Sequence, residues 1–164
     1  FKLTLFFWYR TDLMSKNLYL ELNDRSKQIL KGVVESYLEK YQPAIVYTHH
    51  RGDVNIDHTV IHDAVLAATR PQPGHCVSTL LFFEAASSTE WRPPQSSISF
   101  HPNWYVDISD TLDIKLQALD AYRTEMRSFP HARSITAMKH LAKWRGSNVG
   151  CDSCEAFILG RQIK

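Results

Sequence analysis

Residues Tyr47 to His58 read YTHHRGDVNIDH, and this stretch decides how the rest of the chain is interpreted. It overlaps the β-branched run Ala44 to His49, which is typical of a buried parallel strand. Asp57 is then placed to be the N-cap of a helix that continues to about Thr69. The sequence therefore predicts a strand, a polar loop and a helix, with charged side chains at the carboxyl end of the strand.

Helical and strand patterns alternate on both sides of this stretch. A helix is predicted from Asn23 or Asp24 to about Lys40, and others after an Asp110 cap and from about Ser134 to Arg145. Strands are predicted over 1–9, 77–85, 104–109 and 155–163, with a long loop over 86–103. This alternation favours an α/β fold with a largely parallel sheet, in which ligands bind beyond the carboxyl ends of the strands.

The composition narrows the class of protein. The 164 residues suffice for one domain with a hydrophobic core, and a formal net charge of +2 with scattered basic residues argues against a nucleic-acid partner. No apolar run approaches the roughly 20 residues of a membrane-spanning helix. Three cysteines without a disulfide pattern favour a cytoplasmic location. The chain begins at Phe1, inside an apolar run and without an initiator Met, which is expected of a fragment.

The spacing Cys151-x-x-Cys154 offers a redox or metal-binding alternative. A thioredoxin-type pair needs the start of a helix, whereas this pair precedes a predicted strand. A structural zinc site needs a second C-x-x-C, which the sequence lacks. Incidental thiols are therefore the favoured interpretation, and a redox protein is a third class of function beside those that follow.

The polar loop suits a metal-dependent hydrolase. His58 lies at a predicted helix start, so its imidazole can face the end of the sheet and bind zinc. Asp57 and Asp53 are candidates for orienting that imidazole, and Asn55 can donate amide hydrogens to a developing oxyanion. The alternative is a solvated polar loop in which the aspartates cap a helix and the histidines have no role.

A series of segments carries a family resemblance: YTHHRGDVNIDH, then FEAASSTEW at 83–91, WYVDIS at 104–109 and EMRSFPHARS at 125–134. In this order, over about residues 40 to 160, the series resembles the LmbE-like family, the PIG-L-type zinc-dependent N-deacetylases. The resemblance implies a Rossmann-like three-layer sandwich. It also implies a hydrolase that removes the N-acetyl group from an N-acetylglucosamine-type sugar or glycoconjugate.

The resemblance assigns roles to particular residues. Members of the family hold zinc through an early His-Pro-Asp-Asp motif and a later histidine, which His58 matches. Asp57 matches the aspartate before that histidine. Asn55 stands where several members carry a histidine that stabilises the oxyanion, and an asparagine can donate a hydrogen bond there but no proton. Substrate contacts are expected from Arg51, Asp53, His131 and Arg133; for Arg133 the alternative is a surface residue beside a helix capped by Ser134.

The His-Pro-Asp-Asp motif itself is missing from the 164 residues. The pair His101-Pro102 is followed by Asn103 and Trp104, which do not replace two carboxylates. We therefore expect residues 1–164 to be a single domain of this family without its amino-terminal metal-binding portion, inactive on its own. The alternative is a non-catalytic sugar-binding or interaction domain that has lost its metal site. A sheet cut in this way would expose an unpaired strand edge, so homo-oligomer formation is expected.

Overall fold

The computed structural model describes residues 24–93 and 98–164. The strand predicted over 1–9 lies outside the described residues. In chain order the elements are α1 (Asp24–Tyr41), β1 (Ile45–His49), α2 (Ile56–Ala68), β2 (Thr79–Phe83), β3 (Trp104–Asp107), α3 (Leu112–Asp120), α4 (Ile135–Ser147) and β4 (Cys154–Gln162). The α/β class is therefore confirmed, and the described elements match the predicted ones in kind and order.

The sheet is mixed, and the prediction of a largely parallel sheet is wrong. β1 and β2 pair in parallel, but β4 pairs antiparallel with both β2 and β3. The strand order β1-β2-β4-β3 places the reversed strand between two strands that point the same way. The connections explain this: α2 alone joins β1 to β2, whereas both α3 and α4 lie between β3 and β4. The second helix returns the chain to the edge where β3 ended, so Cys154 pairs with Asp107.

Apolar side chains of α1 and α2 cover one face of the sheet. Val34 and Leu38 of α1 and Val65 of α2 pack with Val46 of β1 and Leu80 of β2 in one buried cluster. Each such side chain contributes roughly 1.5–3 kcal/mol when fully buried. The opposite face is covered as well, because neighbouring residues of a strand point to opposite faces and Leu80 and Leu81 are both 1% exposed.

Two of the predicted helix caps are wrong and one is confirmed. α2 is capped by Asn55, whose side chain accepts a hydrogen bond from the Asp57 backbone N–H, and not by Asp57. α3 is preceded by Thr111 in place of Asp110, without a side-chain cap. α4 is capped by Ser134 as predicted. Composition alone did not distinguish neighbouring polar residues that can all act as caps.

A bulge where β2 meets β4 requires a glycine. Leu80 pairs with Arg161 and Leu81 with Leu159, so Gly160 is the extra residue on β4. A Cβ atom on Gly160 would lie 2.6 Å from the ring of Phe82. The absence of a side chain therefore allows the two central strands to stay paired.

Within the described residues, none of the helices is long and apolar enough to span a membrane.

Candidate functional site

The polar loop after β1 meets the loop after β2 at the carboxyl edge of these two parallel strands. The His50 backbone N–H donates to the Phe83 carbonyl at 3.0 Å, and the Val54 N–H donates to the Ser88 carbonyl at 3.4 Å. These bonds hold the two loops together at the edge where ligands bind in open α/β sheets. Polar side chains therefore lie together at the sheet edge where the sequence predicted the site.

Asp53 is the centre of this arrangement, and its side chain is fully buried. Its carboxylate accepts hydrogen bonds from the Asn55 N–H at 2.9 Å, from Thr89 Oγ1 at 3.1 Å, from the Ser88 hydroxyl and from the His58 ring. These hydrogen bonds engage both carboxylate oxygens inside the protein, and the contact of Asp53 with substrate remains a prediction. Its role is to join the two loops and to orient His58.

The charge state of Asp53 follows from a balance of opposing effects. Burial by itself would raise the pKa of the Asp53 carboxyl group. The hydrogen bonds from His58, Ser88 and the Asn55 backbone outweigh burial and hold that pKa below its ordinary value. Asp53 is therefore an anion at neutral pH, and it is a strong acceptor for a ring N–H.

His58 is oriented so that one ring nitrogen is held and the other faces Asn55. Its Nδ1 lies 3.0 Å from Asp53 Oδ2, and because a carboxylate only accepts, Nδ1 carries the proton and donates. The other ring nitrogen, Nε2, lies 3.3 Å from Asn55 Nδ2, which donates a hydrogen bond to it. A carboxylate behind Nδ1 with Nε2 left as a donor atom for a metal is the usual arrangement around histidine ligands. The supporting position expected of Asp57 is thus held by Asp53.

Both the oxygen and the nitrogen of the Asn55 side-chain amide form hydrogen bonds. Oδ1 accepts from the Asp57 N–H at 2.9 Å, which caps α2, and this fixes Nδ2 toward the His58 ring. The residue that caps α2 therefore also directs an N–H donor to Nε2 of His58. Asp57 contributes its backbone to this arrangement, while its side chain lies in the first turn of α2.

Three further histidines surround this pair and are held neutral. The His49 ring stacks on His58 with centroids 3.9 Å apart, and burial, followed by the neighbouring His58, lowers the pKa of His49 to about 4. Burial also lowers the pKa of His62, whose Nδ1 donates to the His49 carbonyl at 2.8 Å. Burial lowers the pKa of His50 too, which packs edge-on against Phe100. As expected for adjacent residues, His49 and His50 have different neighbours.

A small cavity of about 190 Å³ with a mixed polar and apolar lining adjoins the loop at Gly52. Its lining includes Thr89, Phe100 and the ion pair of Glu84 with Arg145, whose closest atoms are 2.6 Å apart. Gly52 has no room for a side chain, since a Cβ there would lie 2.2 Å from the Ile98 carbonyl oxygen and 2.5 Å from His50 Nε2. The backbone at Gly52 therefore forms one wall between the histidines and the cavity.

Arg51 is engaged on the protein surface. Its guanidinium forms two hydrogen bonds with the Asp63 carboxylate at 2.9 and 3.3 Å, and about half of each side chain is exposed. A substrate anion would have to compete with Asp63 for Arg51, so its predicted substrate contact remains a prediction.

His131 and Arg133 form a separate local arrangement. His131 Nδ1 accepts from the Arg133 backbone N–H at 3.0 Å, and its ring lies edge-on to Trp91 with centroids 5.9 Å apart. The Arg133 guanidinium pairs with Glu125 at 3.3 Å, and its Nε is buried without a hydrogen-bond partner. Neither residue contacts Asp53 or His58, and their substrate-binding role remains a prediction.

A catalytic zinc needs three protein ligands, and the residues around His58 fit this requirement only in part. His58 Nε2 is a suitable ligand atom. Within residues 24–93 and 98–164, however, the only cluster of three or more candidate ligand residues is Asp107, Cys151 and Cys154, which does not include His58. The described residues therefore supply one ligand for a zinc ion at His58 and no complete site.

Ser88 and Thr89 are hydrogen-bond partners of Asp53 that the sequence did not reveal. They lie 35 and 36 residues after Asp53, in the loop over 86–103. The only available signal was a run of hydroxyl side chains directly after a predicted strand end, which is common in ordinary loops. Long-range partners of a buried carboxylate become visible only once the strand order is known.

Comparison with known proteins shows the fold. No protein-family profile matches the chain, and no curated protein sequence does. Among solved structures, N,N'-diacetylchitobiose deacetylase from Pyrococcus horikoshii, bound to its inhibitor, is similar with a TM-score of 0.61 and 17% identity over 83% of this chain. The zinc-inhibited form of teicoplanin deacetylase Orf2 is similar with a TM-score of 0.59 and 18% identity over 94% of this chain.

The same fold is shared with an enzyme of another class. GalB, the 4-carboxy-2-hydroxymuconate hydratase of Pseudomonas putida KT2440, is similar with a TM-score of 0.63 and 19% identity over 89% of this chain. The chain spans 52% of the length of the chitobiose deacetylase, 60% of the teicoplanin deacetylase and 62% of the hydratase. It therefore has a fold found in deacetylases and in a hydratase, over a little more than half of their length.

Proposed function

We propose that the chain is part of a zinc-dependent N-deacetylase domain that hydrolyses the N-acetyl group of an N-acetylglucosamine-type sugar or glycoconjugate. The observation that carries this proposal is the Asp53–His58 pair, with His58 Nε2 held available beside the amide of Asn55. The deacetylases among the similar structures support the choice of reaction class. Since those proteins are much longer, we propose that two further zinc ligands and the general base come from a part of the domain outside these 164 residues.

Each residue has a defined task in this proposal. His58 is one zinc ligand through Nε2, and Asp53 positions it by accepting a hydrogen bond from Nδ1–H. Zinc, when bound, supplies a Lewis acid that polarises the acetyl carbonyl and activates water. Asn55 Nδ2 donates a hydrogen bond to the oxygen of the tetrahedral intermediate, where charge develops. Asn55 holds no titratable proton, so the leaving amine must be protonated by another group.

The cavity beside Gly52 is the proposed site of part of the sugar. At about 190 Å³ it is smaller than the roughly 300 Å³ at which ordinary ligand pockets begin, so it suits one small group. The paired Glu84 and Arg145 offer an acceptor and donors for sugar hydroxyls. Arg51, His131 and Arg133 are proposed to contact the remainder of a larger substrate, for which their exposed or half-buried side chains are suited.

The test is acetate release from N-acetylglucosamine and N,N'-diacetylchitobiose with added zinc. We expect no release by the 164-residue chain, and zinc-dependent release by the protein expressed from its gene's own start codon. His58→Ala in that protein should abolish release, whereas His140→Ala, at an exposed position of α4, should leave it unchanged. Release that survives His58→Ala would overturn the proposed ligand. Sugar binding by the zinc-loaded protein without any release would instead establish the non-catalytic alternative.

A further inference from the structure

A second cluster of metal-ligating groups lies at the other end of the same sheet edge. Asp107 is the last residue of β3, Cys154 is the first residue of β4, and the two are paired in the sheet. Cys151 lies in the turn that precedes β4. One carboxylate oxygen and the two sulfur atoms all lie within 4.8 Å of one another. Because β1 and β3 are the two outer strands, about three strand spacings or roughly 14 Å separate this cluster from the loop that carries His58.

Rigid elements hold all three groups in place. The Ile108 N–H donates to the Ser153 carbonyl at 3.0 Å, which extends the contact between β3 and the turn. The Cys151 N–H donates to the Gly146 carbonyl at 3.0 Å. A Cβ on Gly146 would lie 2.7 Å from the Cys151 carbonyl oxygen, so the turn packs directly on the end of α4. The positions of the sulfur atoms are therefore set by backbone contacts.

The carboxylate of Asp107 is also oriented. Its Oδ1 accepts from the Ser109 N–H at 2.9 Å and from the Ser109 hydroxyl at 2.5 Å. Hydrogen bonds of this kind orient the carboxylates that bind metals. Asp107 is exposed, Cys151 is half-buried and Cys154 is buried, so the cluster opens to solvent on the side of Asp107.

We propose that Asp107, Cys151 and Cys154 bind a divalent cation of the zinc type, with a fourth position open to water. Two thiolates separated by two residues form the common chelating pair of zinc sites, and a carboxylate is an accepted third ligand. Thiolate ligands select zinc and similar soft cations over magnesium or calcium. A disulfide between the two cysteines would use only two of the three groups and would not involve the carboxylate of Asp107.

Binding of the cation by the two cysteines releases protons. The two thiol groups each lose one proton to solvent as their sulfur atoms bind the cation, and Asp107 binds as the carboxylate. The ion would connect the outer strand β3 to β4 and to the turn that follows α4. Its contribution is therefore to the stability of this edge of the sheet, independently of the proposed deacetylase activity.

Cobalt(II), titrated into the 164-residue chain in the presence of a phosphine reductant, tests the proposal, because cobalt thiolates have strong charge-transfer absorption in the near ultraviolet. We expect saturation at one equivalent, displacement of cobalt by zinc, and a higher melting temperature with zinc. Cys151→Ser should remove the absorption, and Asp107→Asn should weaken binding at least tenfold. Cys76→Ser is the matched control, since Cys76 lies outside the cluster, and it should titrate like the wild type.

His58→Ala separates this site from the proposed catalytic one. It should leave the charge-transfer absorption unchanged, so failure of the deacetylase proposal would not affect the result. Absence of the absorption in the wild-type chain would overturn the proposal, as would an unaltered titration of Cys151→Ser. A Cys151–Cys154 disulfide that persists in the reductant would overturn it as well and would establish a structural disulfide.

Discussion

The carboxylate of Asp53 accepts the Nδ1 proton of His58 at 3.0 Å, from a position where Asp53 is completely buried and His58 is one-fifth exposed. This hydrogen bond fixes the orientation of the His58 imidazole at the end of the polar loop. Asp53 determines which nitrogen of His58 carries the proton, and in the proposed enzyme His58 binds the zinc ion. Its four hydrogen bonds also make Asp53 the residue whose loss should disturb the site most.

Asp53→Asn should destabilise the protein by about 2–4 kcal/mol, because the amide leaves buried donors of Ser88, Thr89 and His58 with a weaker acceptor or none. Asp63→Asn is the matched control. It breaks the exposed pair with Arg51, and such pairs contribute about 0–1 kcal/mol. Urea unfolding of both variants measures the difference, and equal losses would contradict the assigned role of Asp53.

Mild acid should destabilise the folded chain through His49. Its pKa is about 4 in the folded protein and about 6.5 in the unfolded chain, so between these values the unfolded state binds the extra proton. The part of the unfolding free energy that depends on His49 is therefore greatest above pH 6.5. It falls as the pH is lowered from 6.5 to about 4 and does not change further below that. Its total is on the order of 3 kcal/mol.

The corresponding measurement is the unfolding free energy of wild type and His49→Gln between pH 7 and pH 4. The variant should lose less stability on acidification, although His50 and His62, with pKa values lowered in the same direction, keep part of the slope. Asp53 acts at lower pH, because its stabilising contribution is lost only as the pH falls below about 3.9. Parallel curves for the two proteins would contradict this origin of the acid sensitivity.

Gly52→Ala should distort the site, since the new Cβ would lie 2.2 Å from the Ile98 carbonyl and 2.5 Å from His50 Nε2. We expect a loss of about 1–3 kcal/mol, as for other overpacked positions. Gly32→Ala on the exposed side of α1 is the control, because its Cβ would meet nothing within 4 Å and alanine favours helix by roughly 0.5–1 kcal/mol. Thermal unfolding should therefore shift in opposite directions for the two variants.

Substitutions of Asn55 separate its two tasks. Asn55→Ala removes the cap of α2 and should cost about 1 kcal/mol. Asn55→Asp keeps an acceptor for the Asp57 N–H and should retain that stability, but it lacks the amide donor beside His58. In the proposed enzyme both variants should lower kcat by about 10²–10³. Full activity of Asn55→Asp would exclude a role for the amide at the oxyanion.

Much of the fold was accessible from local patterns. The β-branched run before His49, the apolar spacing of α2 and the serine that caps α4 are encoded within a few residues, and the structure has each element close to its predicted position. Strand direction was not accessible in this way. The reversal of β4 depends on how α3 and α4 pack together, which no single segment encodes.

The candidate site, too, could be predicted from the sequence only where its residues are neighbours in the chain. Asn55, Asp57 and His58 were recognised as a group because they are close in sequence. The sequence offered both Asp57 and Asp53 for orienting His58 and could not choose between them, because the position of Asp53 depends on Ser88 and Thr89 from a distant loop. A carboxylate in a polar loop is normally solvated, and only its tertiary partners show otherwise.

The central position of β4 has a consequence for the order of folding. β4 lies between β2 and β3, yet it follows both in the chain, so among the described strands the middle one leaves the ribosome after its two neighbours. Until residues 154–162 emerge, the side of β2 next to β4 has no partner, and the nascent chain carries two separate fragments of a sheet. Long-range pairings of this kind slow folding and expose unpaired strands in the meantime. A pause in translation before Cys154 would therefore prolong the time during which these strand edges are unpaired and prone to aggregate.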